Sequence, residues 1–121
     1  MVVAPGSWND SVWDDILRMK TLNADQKRRD LQLHVCPLQI DIAERIINRY
    51  SNEGETVLDF FGGIGTVALT AMKMGRYGYT IELNNSYFRD SLGYLKNEEE
   101  KIAQPTLFDF IENAEDTPCN L

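Results

Sequence analysis

Two carboxylates are placed where they can do chemistry. Asp59 ends the apolar run Thr56-Val57-Leu58, and Glu82 ends a second run, Tyr79-Thr80-Ile81. Between them lies a glycine-rich turn, Gly62-Gly63-Ile64-Gly65-Thr66, that leads into a helical pattern. In open parallel sheets, small ligands bind outside the carboxyl ends of the strands, where loops and helix N-termini converge. Residues 56–84 are therefore predicted to form a β-α-β unit with an acid at each strand tip, facing a ligand.

Gly63, Gly65 and Ala68 satisfy the loose dinucleotide pattern, and Glu82 follows at a suitable interval for a ribose-binding acid. Many nucleotide-like ligands use the same turn, so the glycines alone do not choose among them. Asp59 does discriminate. A carboxylate immediately before the loop would repel a pyrophosphate seated on the helix N-terminus. S-adenosylmethionine has no phosphate and carries an ammonium and a sulfonium, which suit an acidic strand end. Glu82 offers two acceptor oxygens to the two ribose hydroxyls, and Phe61 offers an apolar contact. The plainer reading makes Asp59 a helix cap and Glu82 an ordinary exposed acid. The ordered acid-glycine-acid series favours the methyl donor.

The surrounding elements must hold these groups. Residues 10–19 are predicted to form a short helix with Val12, Trp13, Ile16 and Leu17 on one face and Asp10 or Ser11 as its cap. Lys20, Lys27, Arg28 and Arg29 concentrate positive charge in a polar stretch that reads equally well as a solvated loop or a phosphate-contacting one. Leu31, Leu33 and Val35 alternate as in a brief extended segment. Pro37 then suits the first turn of a helix whose Leu38, Ile42, Ile46, Ile47 and Tyr50 face the sheet, with Asp41, Glu44, Arg45 and Arg49 outward. A second helix runs from about Gly65 to a C-terminal glycine stop at Gly75. After a turn at Asn84 and Asn85, Ser86 is predicted to cap a third helix bearing Phe88, Leu92 and Leu95 on one face.

The division that results is 1–30 as a helix and basic loop, 31–104 as the ligand-binding β-α-β segment, and 105–121 as an acidic tail. The fold class is α/β, a partial Rossmann-like sheet of parallel strands flanked by helices. Two parallel strands leave sheet edges and apolar faces uncovered, which points to a part of a larger unit or to association.

At 121 residues the chain fits one domain, and 43% hydrophobic with 26% charged residues is ordinary for a globular protein. It has no run of about 18 apolar residues and no basic-then-apolar leader, so the expectations are no membrane and a cytoplasmic location. The net charge is -7, but from Glu98 onward seven acids face one base, leaving -6 there and -1 on residues 1–97. A nucleic-acid partner for the body is therefore not excluded. Cys36 and Cys119 lack the spacing of a disulfide framework, and His34 with Cys36 supplies too few ligands for zinc, so no metal is expected.

The segment Asp59-Phe60-Phe61-Gly62-Gly63-Ile64-Gly65-Thr66 resembles the Asp-Pro-Phe-x-Gly-x-Gly-Thr cofactor motif of the amino-directed DNA methyltransferases, which methylate exocyclic amino groups of adenine or cytosine. His34-Val35-Cys36-Pro37-Leu38-Gln39, followed by Ile42-Ala43-Glu44-Arg45-Ile46-Ile47, is similar to the segment before that motif in circularly ordered members. Ile81-Glu82-Leu83-Asn84 with Tyr87-Phe88 is similar to the ribose-binding strand and the helix after it. The resemblance covers residues 31–95 and implies S-adenosylmethionine as cofactor, held by His34, Cys36, Asp59, Phe61, Gly63, Gly65, Thr66, Glu82 and Asn84.

Phe60 replaces the usual proline of that motif. The family's catalytic motif, an Asp, Asn or Ser before Pro-Pro and an aromatic, is absent, because the prolines at 5, 37, 105 and 118 are all isolated. No residue of this chain is therefore assigned a catalytic role, and whether the chain is an enzyme by itself stays open. In the circular order the motif lies upstream, with residues before His34 as candidates for the end of a target-recognition region. The expectation is a cofactor-binding segment, a fragment or half of a split enzyme, inactive alone. It would reach DNA through the complete enzyme and need a complementary segment or self-association. The alternative is a non-catalytic cofactor-binding or assembly module derived from the same family.

Overall fold

The computed structural model describes residues 12–22 and 37–105. Among them the order is helix α1 (Ile40–Tyr50), strand β1 (Thr56–Asp59), helix α2 (Thr66–Lys73), strand β2 (Tyr77–Thr80) and helix α3 (Asn85–Ala103). β1 and β2 pair in parallel, Thr56 opposite Tyr77 through Asp59 opposite Thr80. The expected β-α-β unit is present, and the α/β class with it.

Alternation along the strands decides which face of the sheet is covered. Val57 packs toward a cluster of Ala43, Ile47 and Ala71 that joins α1 to α2. Gly78, on the same side, lets α2 lie close on β2, since a Cβ there would stand 2.5 Å from the Ala68 carbonyl oxygen. A second cluster, Leu22, Ile64, Leu69 and Tyr94, joins the glycine loop and α2 to α3. Full burial of a side chain such as Ile64 contributes roughly 1.5–3 kcal/mol. On the opposite face Leu58, Tyr77 and Tyr79 remain 51%, 64% and 61% exposed. Parallel sheets are ordinarily covered on both faces, so this one is half-covered by the described residues.

α2 stops as expected at Gly75. Its N–H bonds the Met72 carbonyl at 3.0 Å and the Arg76 N–H bonds Ala71 at 2.8 Å, a Schellman ending that uses the left-handed backbone of Gly75.

Four expectations are corrected. Residues 12–22 form turns rather than a helix, because Leu17 N–H donates to Asp41 Oδ2 at 2.9 Å and a two-turn helix is marginal alone. The residues instead make a strap held on α1. Lys20 Nζ reaches Asp41 at 2.6 Å and Glu44 at 3.1 Å, and Asp15 pairs with Arg45 at 2.6 Å. Arg45 is consequently buried under Asp15 and the Trp13 ring rather than facing outward. The helix after Pro37 begins at Ile40 with Gln39 as its cap residue, since Lys20 O accepts from Ile40 N–H, and its buried face is Ala43 and Ile47 while Ile46 and Tyr50 stay exposed. α3 is capped by Asn84, whose side-chain oxygen accepts from Ser86 and Tyr87 N–H, and it buries Ser91 and Tyr94 while Phe88 and Leu92 are left at the margin. The extended segment expected around Leu31 to Val35, the basic cluster at 27–29 and the acidic tail lie outside the described residues.

Candidate functional site

β1 ends on Asp59, and the chain turns at once because Asp59 Oδ1 accepts the Phe61 N–H at 2.9 Å. That local bond is the turn chemistry of a short acid. It replaces the helix-cap role, which falls to Gly65 in the left-handed conformation. The loop then lies along the tip of β2. Pairing runs past the strands through Ile81 N–H to Asp59 O and Gly62 N–H to Ile81 O, both 2.9 Å. A Cβ at Gly62 would stand 1.6 Å from Thr80 Oγ1, so only glycine admits this approach. Gly65 (φ 86) similarly abuts Ser91 of α3, where an added Cβ would come within 2.9 Å of the serine Cβ.

Glu82 lies two residues past β2. Its Oε2 accepts the Gly63 N–H and its Oε1 the Asn84 N–H, both at 2.7 Å. The two acids of the sequence pattern are thus joined to a single loop, Asp59 at its start and Glu82 at its middle.

A small cleft of about 100 Å³ opens on this loop, lined by Asp59, Phe61, Gly63 and Thr66 together with Pro37 and Leu38. Phe61 stands 91% exposed at its mouth. A larger cavity of about 520 Å³ lies elsewhere, between β2 and the end of α3, and touches none of the sequence-derived site residues. The small cleft has the chemistry: a carboxylate, close backbone from the glycines, and an N-terminus of α2 with no side-chain cap. Its volume is below the roughly 300–1,000 Å³ of sites for drug-sized ligands, so it accommodates part of a ligand of that size.

Of the nine residues drawn from the sequence, Asp59, Phe61, Gly63 and Thr66 line the cleft, Gly65 starts α2 beside it, and Glu82 reaches it through Gly63. Asn84 spends its side-chain oxygen capping α3. His34 and Cys36 lie outside the described residues. Sequence reasoning omitted Pro37 and Leu38 from the site, although both belong to the segment that carries the resemblance, and Thr80, whose contact with Gly62 has no sequence signal.

The family model described as DNA methylase, of the N6/N4 methyltransferase type, matches residues 4–93. The chain belongs to this family. It is 31% identical over 90 residues to the Type II methyltransferase M.ScaI of Streptomyces caespitosus, a match covering 73% of this chain and 30% of that one. It is 43% identical over 54 residues to the Type II methyltransferase M1.MboII of Moraxella bovis, covering 45% of this chain and 21% of the relative. The chain thus spans under a third of the length of either relative. Among solved structures, a DNA modification methylase of Thermus thermophilus complexed with S-adenosyl-L-methionine is 26% identical with a TM-score of 0.49, covering 62% of this chain and 33% of that one. Among the described residues, no helix is long and apolar enough to cross a membrane.

Proposed function

We propose that the chain is the S-adenosylmethionine-binding segment of a DNA methyltransferase acting on an exocyclic amino group of adenine or cytosine, of the circularly ordered type, within a cytoplasmic restriction-modification system. The observation that carries this reading is that Asp59 and the glycine loop line one cleft while Glu82 is bonded to the same loop through the Gly63 N–H. Asp59 suits the ammonium of the methionine portion, the open N-terminus of α2 suits its carboxylate, and Glu82 suits the ribose hydroxyls. Phe61 would contact the cofactor's apolar surface. His34 and Cys36 would contribute near the methionine end, and Asn84 beside the ribose.

The cofactor supplies an electrophilic methyl group. This chain's residues bind and orient it, and positioning of reactants accounts for a large share of such a barrier. The Pro-Pro-aromatic motif that would accept the amino hydrogen bonds of a flipped-out base is not among the 121 residues. A complementary segment must therefore supply it, and the chain alone is inactive. The exposed sheet face of Leu58, Tyr77 and Tyr79 supports completion by further polypeptide.

The test is calorimetric titration with S-adenosylmethionine and S-adenosylhomocysteine. Wild type binds both, while Asp59→Ala and Glu82→Ala lose at least about tenfold, the scale of a hydrogen bond to a charged group. Absence of binding by wild type, or unchanged binding in both variants, would sink the reading. The same exposed sheet face favours a second reading, a non-catalytic assembly module. Self-association without cofactor binding would select it.

A further inference from the structure

We propose that Glu82 is the positioning residue of the glycine loop, acting on it before any ligand arrives. Three links tie the loop to the tip of β2. Gly62 N–H donates to Ile81 O at 2.9 Å, Thr80 Oγ1 fills the space beneath Gly62, and Glu82 Oε2 accepts the Gly63 N–H at 2.7 Å. Only the third comes from a side chain reaching across from beyond β2 into the loop, and it spans 19 residues of sequence. The 2.7 Å length is that of a charge-assisted bond. Gly63 is buried and takes φ 52, so its N–H, turned away from the ordinary backbone direction, depends on this carboxylate.

The other oxygen, Oε1, accepts the Asn84 N–H, and Asn84 in turn caps α3. One carboxylate thus couples the loop that shapes the cleft to the start of α3, whose Ser91 abuts Gly65 two residues further along the loop. Loop and helix form a closed circuit with Glu82 at its junction. Loss of the acid should then reshape the cleft for every ligand, including one with no ribose hydroxyls to offer. The consequence for binding rests on the cofactor reading above, whereas the consequence for the loop does not.

Two measurements on the whole chain test this, using Glu82→Leu, which removes both acceptors at similar bulk, and Glu82→Gln, which keeps one oxygen. Without ligand, hydrogen exchange of the Gly63 amide should speed up roughly tenfold or more in Glu82→Leu, the scale of a lost hydrogen bond to a charged group. The Val57 amide of β1, which lies on the β2-facing side of the parallel ladder, should stay at its wild-type rate, which reports an intact sheet. If Glu82→Leu fails that control, Glu82→Gln takes its place, with exchange read at Gly63 and Asn84 together because one of the two donors loses its acceptor. With ligand, S-adenosylhomocysteine and its 2′,3′-dideoxy analogue are compared by titration. The dideoxy analogue should bind the substituted protein roughly tenfold more weakly than wild type.

Unchanged exchange overturns the proposal, as does equal binding of the dideoxy analogue by both proteins, since Glu82 would then act through the ribose alone. Failure of wild type to bind S-adenosylhomocysteine would refute the cofactor reading instead, and the exchange rates alone would decide the loop role.

Discussion

Substitution of Gly78 by alanine tests the seat of α2 on the sheet, on which the whole cleft depends. The added methyl would lie 2.5 Å from the Ala68 carbonyl oxygen, 2.7 Å from its Cα and 2.9 Å from its carbonyl carbon. Carbon atoms rest at about 3.5–4.0 Å, so α2 must rise by about 1 Å over β2. All three atoms are backbone, and no rotamer change relieves the clash. Overpacking of this kind costs roughly 1–3 kcal/mol. The upper end is expected here, because lifting α2 also loosens Ala68, Leu69 and Ala71, all buried. With a urea slope of about 1–3 kcal/mol per molar, a loss of about 3 kcal/mol lowers the unfolding midpoint by roughly 1–3 M.

Gly93 provides the contrast. It lies inside α3, and an added Cβ there meets nothing within 4 Å. The same chemical change at Gly93 should raise stability by about 0.5–1 kcal/mol, the helix-propensity difference between glycine and alanine. Urea unfolding of both variants measures the pair. A midpoint for Gly78→Ala within about 0.3 M of wild type would refute the close helix-strand packing, and with it the placement of the glycine loop.

The strap of residues 12–22 should be pH-sensitive. Asp41 is held below the usual carboxylate range, first by the Lys20 ammonium and then by the Leu17 N–H. Its contribution is present above its unfolded value of about 3.9 and fades as pH falls through the lower folded value. Lys20 is raised, chiefly by Asp41, so its contribution holds below about pH 10.4 and fades as pH rises past that. Trp13 fluorescence in a Trp8→Phe background should report detachment in acid, and a signal flat from about pH 5 to pH 2 would contradict the contact. Asn84→Ala should cost about 1 kcal/mol in chemical unfolding through loss of the α3 cap. Ser86→Ala should cost less than half of that, and the reverse order would restore Ser86 as the cap.

The acid-glycine-acid series was legible because its chemistry is local. A carboxylate at a strand tip and glycines in the following turn are short-range requirements, and they identified Asp59 and Gly63 among the residues that line the cleft, while Phe61 was read as an apolar contact and Thr66 came from the family resemblance. Gly75 as the stop of α2 was legible for the same reason. The strap at 12–22 was not. Val12, Trp13, Ile16 and Leu17 recur at helical spacing, but Asp41, Glu44 and Arg45, more than 20 residues away, supply partners that a two-turn helix cannot match. Arg45 was misplaced with it, since a charged residue is assigned outward until a buried partner is known.

Sequence alone determined which groups can do chemistry here and in what order they meet the chain, because turns, caps and strand tips depend on neighbouring residues. Only the tertiary structure decided that Glu82 grips Gly63, that Thr80 underlies Gly62 and that Ser91 abuts Gly65. These contacts join atoms brought together by the crossover of α2 and the return of α3. No residue type records in advance where another segment will pass.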